Sequence, residues 1–439
     1  MFEEIGSILS GMVSIPTVSG KGNEALYRIE DYRAFLEKTF RHLFSVGEVT
    51  PVREARIVKI AGNSRDSKPV LFTGHMDVVP AVDEAAWKHP PFSGAIGDGE
   101  IWGRGSQDMK GPHCALLSSL DTALAEGWRP KRDVYLYLSC DEEIGGHTTD
   151  EAARYFEDRG IQFACVFDEG GTVCENFMGL MDGTAALFGL GEKGSLEYRL
   201  TAKAAGGHAA NPPKGSAIAR LADLISAMEH ECEFKKELSP VSRMMLTKLA
   251  ETEQDSNRRQ KLLAAAREEG AYPVLHELCP QADSLLGATA AFTMISGGTA
   301  FNVLPKEASL TINVRVSAVQ TKAEVTEILT KLAERFDISC TLVSGTDAST
   351  ETSFDNEYVR MMRKSVEAVY PGLPVIPFIL AGGTDSRHFE KVTDAALRFS
   401  PMHAAPRQGA GVHGDNESAY VEDVKKAAEC YYYLWRTFI

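Results

Sequence analysis

Residues 70–80 read Val-Leu-Phe-Thr-Gly-His-Met-Asp-Val-Val-Pro and predict a buried strand that ends in a His-x-Asp pair. In such a pair, His75 can bind a metal through one ring nitrogen while its other N–H donates to Asp77, which fixes the tautomer and makes the ring a better ligand. A histidine that is merely hydrogen-bonded at a strand end gives the same tripeptide. The motif becomes informative only together with the other strand ends of the chain.

Three further turns present carboxylates where an apolar run or a glycine-punctuated segment ends. They contain Asp108, the pair Glu142 and Glu143, and the pair Asp168 and Glu169. Side chains of adjacent residues point in different directions, so Glu143 can bind a metal while Glu142 faces a reacting water. For one Glu-Glu pair alone, a solvated acidic turn is the alternative. Together with the His-x-Asp pair, these turns indicate a metal site.

A second histidine, His413, lies in a glycine-rich loop near the end of the sequence. Carboxylates mixed with two imidazoles favour zinc, cobalt or manganese over a structural site of the thiolate type. This number of ligands is enough for two metal ions that share one carboxylate.

Composition indicates the compartment and excludes some partners. The eight cysteines form no Cys-x-x-Cys pair, which favours buried thiols in a reducing compartment. The net charge of −15 argues against nucleic-acid binding. The N-terminal residues do not read as a signal peptide, and nowhere do about eighteen apolar residues run together. We therefore expect a cytoplasmic protein that binds neither nucleic acid nor a membrane.

The order of predicted elements indicates an α/β fold with two domains. The chain has 439 residues, more than one hydrophobic core usually serves. Strands alternate with helices in the first half, which predicts a mainly parallel sheet covered by helices, with ligands at the carboxyl ends of the strands. We expect residues 1–194 and 346–439 to form this domain. Residues 195–345 would form an inserted smaller α+β domain with a helical insertion at about 232–286.

Motifs with recognisable spacing run almost from end to end of the chain. They are His-Met-Asp-Val-Val-Pro at 75–80, Gly-Arg-Gly-x-x-Asp-Met-Lys-Gly at 103–111, Asp-Glu-Glu-Ile-Gly-Gly at 141–146, Asp-Glu-Gly-Gly at 168–171, Gly-His-Ala at 207–209, Asn-Val-Leu-Pro at 302–305 and Gly-Gly-Thr-Asp at 382–385. In this order they resemble the zinc-dependent exopeptidase family of aminoacylase, glutamate carboxypeptidase and the cytosolic dipeptidases. Residues 87–92, 240–244 and 413–417 are most similar to its carboxypeptidase S-like branch.

The resemblance implies a metal-ligand set with two Zn²⁺ ions per subunit, for which Co²⁺ or Mn²⁺ could substitute. The implied ligands are His75 and Glu169 for one ion, Glu143 and His413 for the other, and Asp108 as the bridge. Asp168 is the alternative to Glu169, because relatives use either Asp or Glu there. Glu142 would be the general base, and Asp77 would orient His75. The Asp108–Met109 peptide would be cis.

The resemblance also implies the remaining site residues and the assembly. The inserted domain would be a lid and dimerisation domain whose His208 stabilises the tetrahedral intermediate, reaching the partner's site in a homodimer. Arg315 would clamp a substrate carboxylate in a bidentate fork. Asn302, Gly383 and Thr384 would complete that site. The charged insertion is expected to be a solvated helical surface, with a narrowed substrate entrance or an extended dimer contact as the alternative.

We therefore predict a metallohydrolase that releases a C-terminal amino acid from short peptides or N-acyl amino acids. One alternative is a deacetylase or deacylase of another amidated metabolite. A second alternative is a non-catalytic, metal-binding dimeric scaffold. Glu142 argues against the scaffold, because a protein that only binds metal needs no base beside its ligands.

Overall fold

The computed structural model describes residues 1–64, 67–267, 272–279, 284–285 and 287–439. Its helices are α1 Ile5–Val13, α2 Ile29–Thr39, α3 Arg41–Val46, α4 Lys110–Ala125, α5 His147–Asp158, α6 Ala217–Glu231, α7 Pro240–Thr252, α8 Ser256–Arg267, α9 Tyr272–Leu278, α10 Lys322–Glu334, α11 Glu357–Val369, α12 Pro406–Gly411 and α13 Val421–Thr437. Its strands are β1 Glu48–Val52, β2 Ala55–Ile60, β3 Val70–His75, β4 Ala95–Gly97, β5 Glu100–Trp102, β6 Val134–Ser139, β7 Cys165–Asp168, β8 Val173–Glu175, β9 Thr184–Glu192, β10 Gly194–Lys203, β11 Gly207–His208, β12 Thr289–Gly297, β13 Val303–Leu304, β14 Glu307–Val316, β15 Ile338–Gly345, β16 Val375–Leu380, β17 Ala396–Arg398, β18 His403–Ala404 and β19 Ser418–Tyr420.

The chain divides into two compact units. The first unit comprises Met1–Gly191, Glu351–Phe378 and Thr384–Ile439, and the second comprises Glu192–Thr350 and Ile379–Gly383. Across the described part of the chain, no helix is both long enough and apolar enough to cross a lipid bilayer.

A ten-stranded sheet is the centre of the first unit. Its order is β1-β2-β6-β3-β7-β17-β9-β8-β18, with β16 beside β9. The central strands β6, β3, β7 and β17 run parallel, whereas β1, β2 and β9 add antiparallel pairs on either side. Every residue of β3 and β6 is buried, as a parallel sheet covered on both faces requires.

Aromatic contacts identify the helices that cover the two faces of this sheet. The ring of Phe72 lies 4.5 Å from Trp435 of α13, and the ring of Tyr135 lies 5.5 Å from Phe156 of α5. Phe72 pairs in register with Leu136, so Phe72 and Tyr135 point to opposite faces of the sheet. Helices α13 and α5 therefore cover opposite faces, and the predicted α/β fold with a mainly parallel sheet covered by helices is confirmed.

The parallel strands deliver three acidic or imidazole segments to one edge of the sheet. Strand β3 ends at His75, β7 ends at Asp168, and β6 ends at Ser139, immediately before a short 3₁₀ turn, Glu142–Ile144. Carboxyl ends of parallel strands meet at the same edge, where open α/β sheets bind their ligands.

A small sheet brings a distant loop to the same place. Strand β19 pairs with β5, with Ser418 opposite Trp102, and β4 completes the three strands. The segment that follows Trp102 leads to Asp108, and the segment that precedes Ser418 contains His413. Strand pairing therefore places these two segments side by side although most of the chain separates them.

The second unit is an antiparallel sheet with helices packed against it. The strand order is β12-β14-β10-β15, and α6 and α10 contribute to a core built on the alternating buried residues of β10 and β14. A short pairing of β11 with β13 sets His208 opposite Val303. The predicted helical insertion contains α7, α8 and α9, and its residues 268–271, 280–283 and 286 lie outside the described residues.

Candidate metal centre

Asp108 lies between the two imidazoles that the sequence predicts as ligands. Its Oδ1 is 3.0 Å from Nε2 of His75, and its Oδ2 is 3.2 Å from Nε2 of His413. The Asp108–Met109 peptide is cis, which confirms that prediction. One carboxylate thus contacts both rings, each through a different oxygen.

Glu169 and Asp168 face different partners. Glu169 Oε1 is 3.1 Å from Nε2 of His75. The carboxylate of Asp168 instead accepts hydrogen bonds from Thr73 Oγ1 at 2.7 Å, from the Glu169 N–H at 2.8 Å and from the Ser386 N–H at 2.7 Å. These contacts favour Glu169 as the ligand, because the oxygens of Asp168 are already used to hold the turn that carries it.

Glu142 and Glu143 also separate, as expected for adjacent residues of a turn. Glu143 Oε2 is 3.2 Å from Nε2 of His413. A carboxylate oxygen of Glu142 lies within 4.8 Å of ligand atoms of His75 and Glu169. Among the described residues, the carboxylate of Glu142 has no hydrogen-bond or ion-pair partner. It is therefore free to act on a group that enters the site.

Asp77 contacts both His75 and the turn that carries Glu142 and Glu143. Its main-chain carbonyl lies 2.9 Å from Nδ1 of His75, whereas its carboxylate lies 3.6 Å from the same nitrogen. The two carboxylate oxygens accept the N–H groups of Glu142 and Glu143, each at 3.3 Å. Asp77 thus orients His75 mainly through its backbone and fixes the glutamate turn through its side chain, a second contact that the sequence did not predict.

The site concentrates buried negative charge, and the pKa values reflect this. Burial raises the pKa of Glu142 to about 10 and, together with repulsion by Asp108, raises the pKa of Glu169 to about 8. Hydrogen bonds to Asp108 and Glu143 raise the pKa of His413 to about 10. Burial would raise the pKa of Asp108 as well, but its contacts with His413 and His75 outweigh burial and hold that pKa well below its usual value. These buried acids need compensating positive charge.

The donor set fits divalent metal ions. Two donor atoms on one tetrahedral zinc ion are about 3.3–3.5 Å apart, close to the distances between the imidazole nitrogens and the carboxylate oxygens here. Glu143 Oε1 is buried and has no hydrogen-bond partner in the described structure. A cation would satisfy that oxygen and reduce the repulsion among the carboxylates. His75, Asp108 and Glu143, and separately His75, Glu142 and Glu169, are close enough to act together.

The residues predicted for substrate binding lie mainly in the second unit. Nδ1 of His208 accepts the N–H of Ala210 at 3.1 Å, and Asn302 accepts the N–H of Ala209 at 3.1 Å through its main-chain carbonyl, so His208 and Asn302 belong to one turn region. Arg315 donates to Asn313 Oδ1 at 3.1 Å and to the carbonyl of Ala381 at 3.4 Å.

The glycine-rich segment after Ala381 contains the other predicted substrate-binding residues. Gly383 belongs to the second unit, and Thr384 belongs to the first. The hydroxyl of Thr384 caps the 3₁₀ helix Asp385–Val392 and contacts Ser386 Oγ at 2.8 Å. Their substrate-binding roles stay predictions.

Two buried residues at the centre were not identified as functional from the sequence. Arg104 and Glu417 form an ion pair at 2.7 Å that contacts the segments carrying Asp108 and His413. Each residue stands inside a motif quoted above. The only available signal was a charged residue inside a glycine-rich turn, and that signal does not identify the partner.

A cluster of carboxylates and imidazoles at the carboxyl edge of a parallel sheet is the arrangement expected of a metallohydrolase. The chain belongs to peptidase family M20/M25/M40, whose sequence profile matches residues 71–437. The predicted enzyme class and family are therefore confirmed, and the protein is an amidohydrolase of this family.

Sequence relatives cover nearly the whole chain. The N-fatty-acyl-amino acid synthase/hydrolase PM20D1 of Mus musculus is 28% identical over 443 residues, which cover 95% of this chain and 84% of the relative. The probable carboxypeptidase S-like 2 of Dictyostelium discoideum is 28% identical over 425 residues, covering 92% and 78%. The similarity to the carboxypeptidase S-like branch is thereby confirmed.

Solved structures share the fold. The M20 family metallo-carboxypeptidase Sso-CP2 from Sulfolobus solfataricus superposes with a TM-score of 0.74 at 20% identity, covering 99% of both chains. Human carnosine dipeptidase 1 gives a TM-score of 0.64 at 15% identity, covering 99% of this chain and 96% of that one.

Proposed function

We propose that this protein is a dinuclear zinc hydrolase that releases a C-terminal amino acid from N-acyl amino acids or short peptides. The observation that carries the proposal is the position of Asp108, whose two oxygens contact His75 and His413 separately. A carboxylate that bridges two cations needs this geometry. The glutamates beside each imidazole supply the outer ligands, Glu169 with His75 and Glu143 with His413.

Two cations held by these residues would supply Lewis-acid chemistry, activating water and polarising the substrate carbonyl. Glu142 would accept the proton of the attacking water and pass it to the departing nitrogen. Burial raises the pKa of Glu142, with a smaller contribution from Glu169, Asp385 and Glu143, and nearby cations would lower that pKa again. A strongly perturbed carboxyl beside a candidate metal centre is typical of a group that transfers protons. A purely structural metal site offers no use for this partly buried, unpaired carboxylate.

The names of the relatives support the substrate class. One relative is an N-fatty-acyl-amino acid synthase/hydrolase and another is a probable carboxypeptidase S-like protein. N-acyl amino acids and peptides with a free C-terminus both present an amide bond next to a free carboxylate. The test is a hydrolysis screen of N-acyl amino acids of increasing acyl length and of dipeptides, with Zn²⁺ or Co²⁺ present. We expect turnover that a chelator abolishes and either metal restores. Hydrolysis that persists without metal, or that requires no free carboxylate, would contradict the proposal.

Arg315 is proposed to bind the substrate carboxylate through its planar guanidinium. Arg315→Lys should raise KM by roughly 10-fold for a substrate with a free carboxylate, because an ammonium cannot form two parallel hydrogen bonds. KM for the matching C-terminal amide should change little. Arg199→Lys, on the neighbouring strand β10 and exposed, is the control and should affect neither substrate. Equal losses on acid and amide would exclude Arg315 from the carboxylate site.

We also propose a cytoplasmic homodimer in which His208 serves the partner's metal centre. Glu142→Ala and His208→Ala would then be inactive separately but complement when mixed, because one composite site of a mixed dimer carries both changes and the other carries neither. Equal mixing should restore about a quarter of wild-type activity. No recovery, despite subunit exchange shown by labelled subunits, would mean that His208 acts within its own subunit or outside the site.

A further inference from the structure

The carboxylate of Glu417 is fully buried and accepts four hydrogen bonds from one loop. Its Oε2 accepts from Arg104 Nη1 at 2.7 Å and from the Gly105 N–H at 3.0 Å. Its Oε1 accepts from the Gln107 N–H at 2.8 Å and from the Asp108 N–H at 3.1 Å. Three N–H groups of the loop before the cis peptide, those of Gly105, Gln107 and Asp108, are therefore hydrogen-bonded to a single side chain.

The other half of this ion pair reaches the histidine loop. Arg104 is 2% exposed and donates through Nη2 to the carbonyl of Gly414 at 2.8 Å, the residue directly after His413. Its guanidinium also lies 5.3 Å from the ring of Trp87. Because the guanidinium is planar, its two donors fix Glu417 and Gly414 in one relative geometry.

An ion pair of this kind contributes little net stability. Burying two charges costs about as much as their attraction returns, and apolar residues of similar size often serve equally well. What apolar residues cannot provide are acceptors for the three loop N–H groups and a donor for the Gly414 carbonyl. The hydrogen-bonding groups of Arg104 and Glu417 are therefore suited to fixing the relative position of the two loops they join.

Those two loops hold Asp108 and His413, whose side chains contact each other at 3.2 Å. His75, by contrast, ends a strand of the parallel sheet and Glu169 directly follows one, and Asp168 rather than Glu417 accepts the N–H of Glu169. Disturbing Glu417 or Arg104 would change the spacing between Asp108 and His413. The spacing between His75 and Glu169 would stay as the sheet sets it, and that half would be disturbed only through the shared Asp108.

We propose that Arg104 and Glu417 form a positioning pair that sets the affinity of the cation bound by His413 and Glu143. The pair would affect the cation bound by His75 and Glu169 less, because it reaches that half only through the shared Asp108. The proposal rests on the proposed dinuclear function. Neither residue contacts the donor atoms of the centre or the reacting group; both act through the backbone of the two loops.

The experiment is a Co²⁺ titration of the metal-free protein, followed by visible absorption and calorimetry. His413→Ala and His75→Ala provide reference spectra for protein with one half of the centre intact. Wild type should bind two Co²⁺ ions. Glu417→Gln should weaken the ion assigned to His413 by about 10- to 100-fold, the usual effect of removing a group that orients a metal ligand. It should weaken the other ion clearly less, because only the bridging ligand of that ion is attached to Glu417.

Arg104→Lys is the second variant, because it keeps the charge beside Glu417 but cannot also reach Gly414. It should preserve the thermal midpoint and still weaken the His413 ion, which a purely structural role would not do. Glu100→Gln is the matched control. Glu100 is a buried glutamate that pairs with Arg407 and accepts a hydrogen bond from Ser418 Oγ at 2.6 Å. Its carboxylate contacts neither Asp108 nor His413. It should leave both affinities unchanged.

The outcomes separate the two proposals. A wild-type protein that binds only one Co²⁺ would contradict the dinuclear function. Two ions in wild type, with both affinities unchanged in Arg104→Lys, would overturn the positioning role alone, even if Glu417→Gln fails to fold. Equal weakening of both ions in either folded variant would also overturn it, because the proposal requires the larger effect to fall on the His413 half.

Discussion

The two halves of the candidate centre are built by different means. His75 is the last residue of strand β3, and Glu169 directly follows the parallel strand β7. The His75 side chain is 1% exposed. Glu143 lies in a 3₁₀ turn and His413 in a loop, where its φ is 57° and its side chain is 55% exposed. Asp108 joins the strand half to the loop half.

The comparison teaches where positional precision comes from. In the strand half, the ladder of the sheet aligns the ends of neighbouring strands, so ligand spacing follows from the fold. In the loop half, no ladder runs through His413 or Asp108, and discrete side-chain contacts must supply the alignment. Arg104 and Glu417 supply such contacts across an interval of 313 residues.

The largest effect is expected where the two halves act together. Glu142→Gln should lower kcat by about two to four orders of magnitude while both metals stay bound, because it removes the base and no ligand. Metal content and kcat measured on the same preparation test this. Glu143→Gln is the matched neighbour and should lose the loop-half metal as well as activity. If Glu142→Gln also loses metal, the division of roles within the pair is wrong.

A smaller and more selective effect is expected from removing one imidazole at a time. His75→Ala and His413→Ala should each weaken one metal, by on the order of 100-fold or more, since loss of a direct ligand exceeds loss of an orienting group. In metal-free protein, His75→Ala should lower the free energy of unfolding by roughly 1–3 kcal/mol, because it removes a buried side chain. Metal titration measures the two affinities, and urea titration measures the stability of His75→Ala. Equal weakening of both metals by either substitution would contradict the division into two halves.

The smallest expected effect is on the pH dependence of stability, and it comes from the buried His113. His113 of α4 is buried beside Gly74, and neither ring nitrogen has a hydrogen-bond partner in the described structure. Burial, aided by the positive charges of His75 and Lys110, lowers the pKa of His113 to about 3. The unfolded chain binds this proton below about pH 6.5 while the folded chain stays neutral, so stability is lost as the pH falls from about 6.5 toward 3.

His113→Leu removes this titration and keeps a side chain of similar volume. Between pH 7 and pH 5, the metal-free variant should lose roughly 1–2 kcal/mol less stability than wild type, as measured by denaturant unfolding at each pH. Identical pH dependence in the two proteins would mean that His113 is protonated in the folded state or already accessible to water.

The sequence predicted the strand half better than the loop half, for a physical reason. An apolar run that ends in His75, or in Asp168 and Glu169, carries its own structural context, and parallel strands bring such ends together. The position of His413 came only from the family resemblance, since nothing local places its loop beside Asp108. The pairing of β19 with β5 does so, and strand pairing over that separation is not visible in local patterns.

Contacts between side chains and distant backbone were the least predictable part. Asp77 was expected to orient His75, but its carboxylate also accepts two N–H groups of the glutamate turn. Arg104 and Glu417 stood inside quoted motifs without an assigned role, because a charged residue in a glycine-rich turn is usually solvated. Arg104 and Glu417 are instead buried, and each is paired with a residue far along the chain. Neither property can be read from one sequence.

The most direct test of the central claim is a crystal structure of the zinc-loaded protein with anomalous data at the zinc edge. The account predicts two zinc ions about 3.5–4 Å apart, with one Asp108 oxygen on each ion. Glu169 and His75 should bind one ion, and Glu143 and His413 the other, each at about 2.0–2.2 Å. A single zinc ion at saturating metal, or two ions with Asp108 bound to only one, would contradict the account.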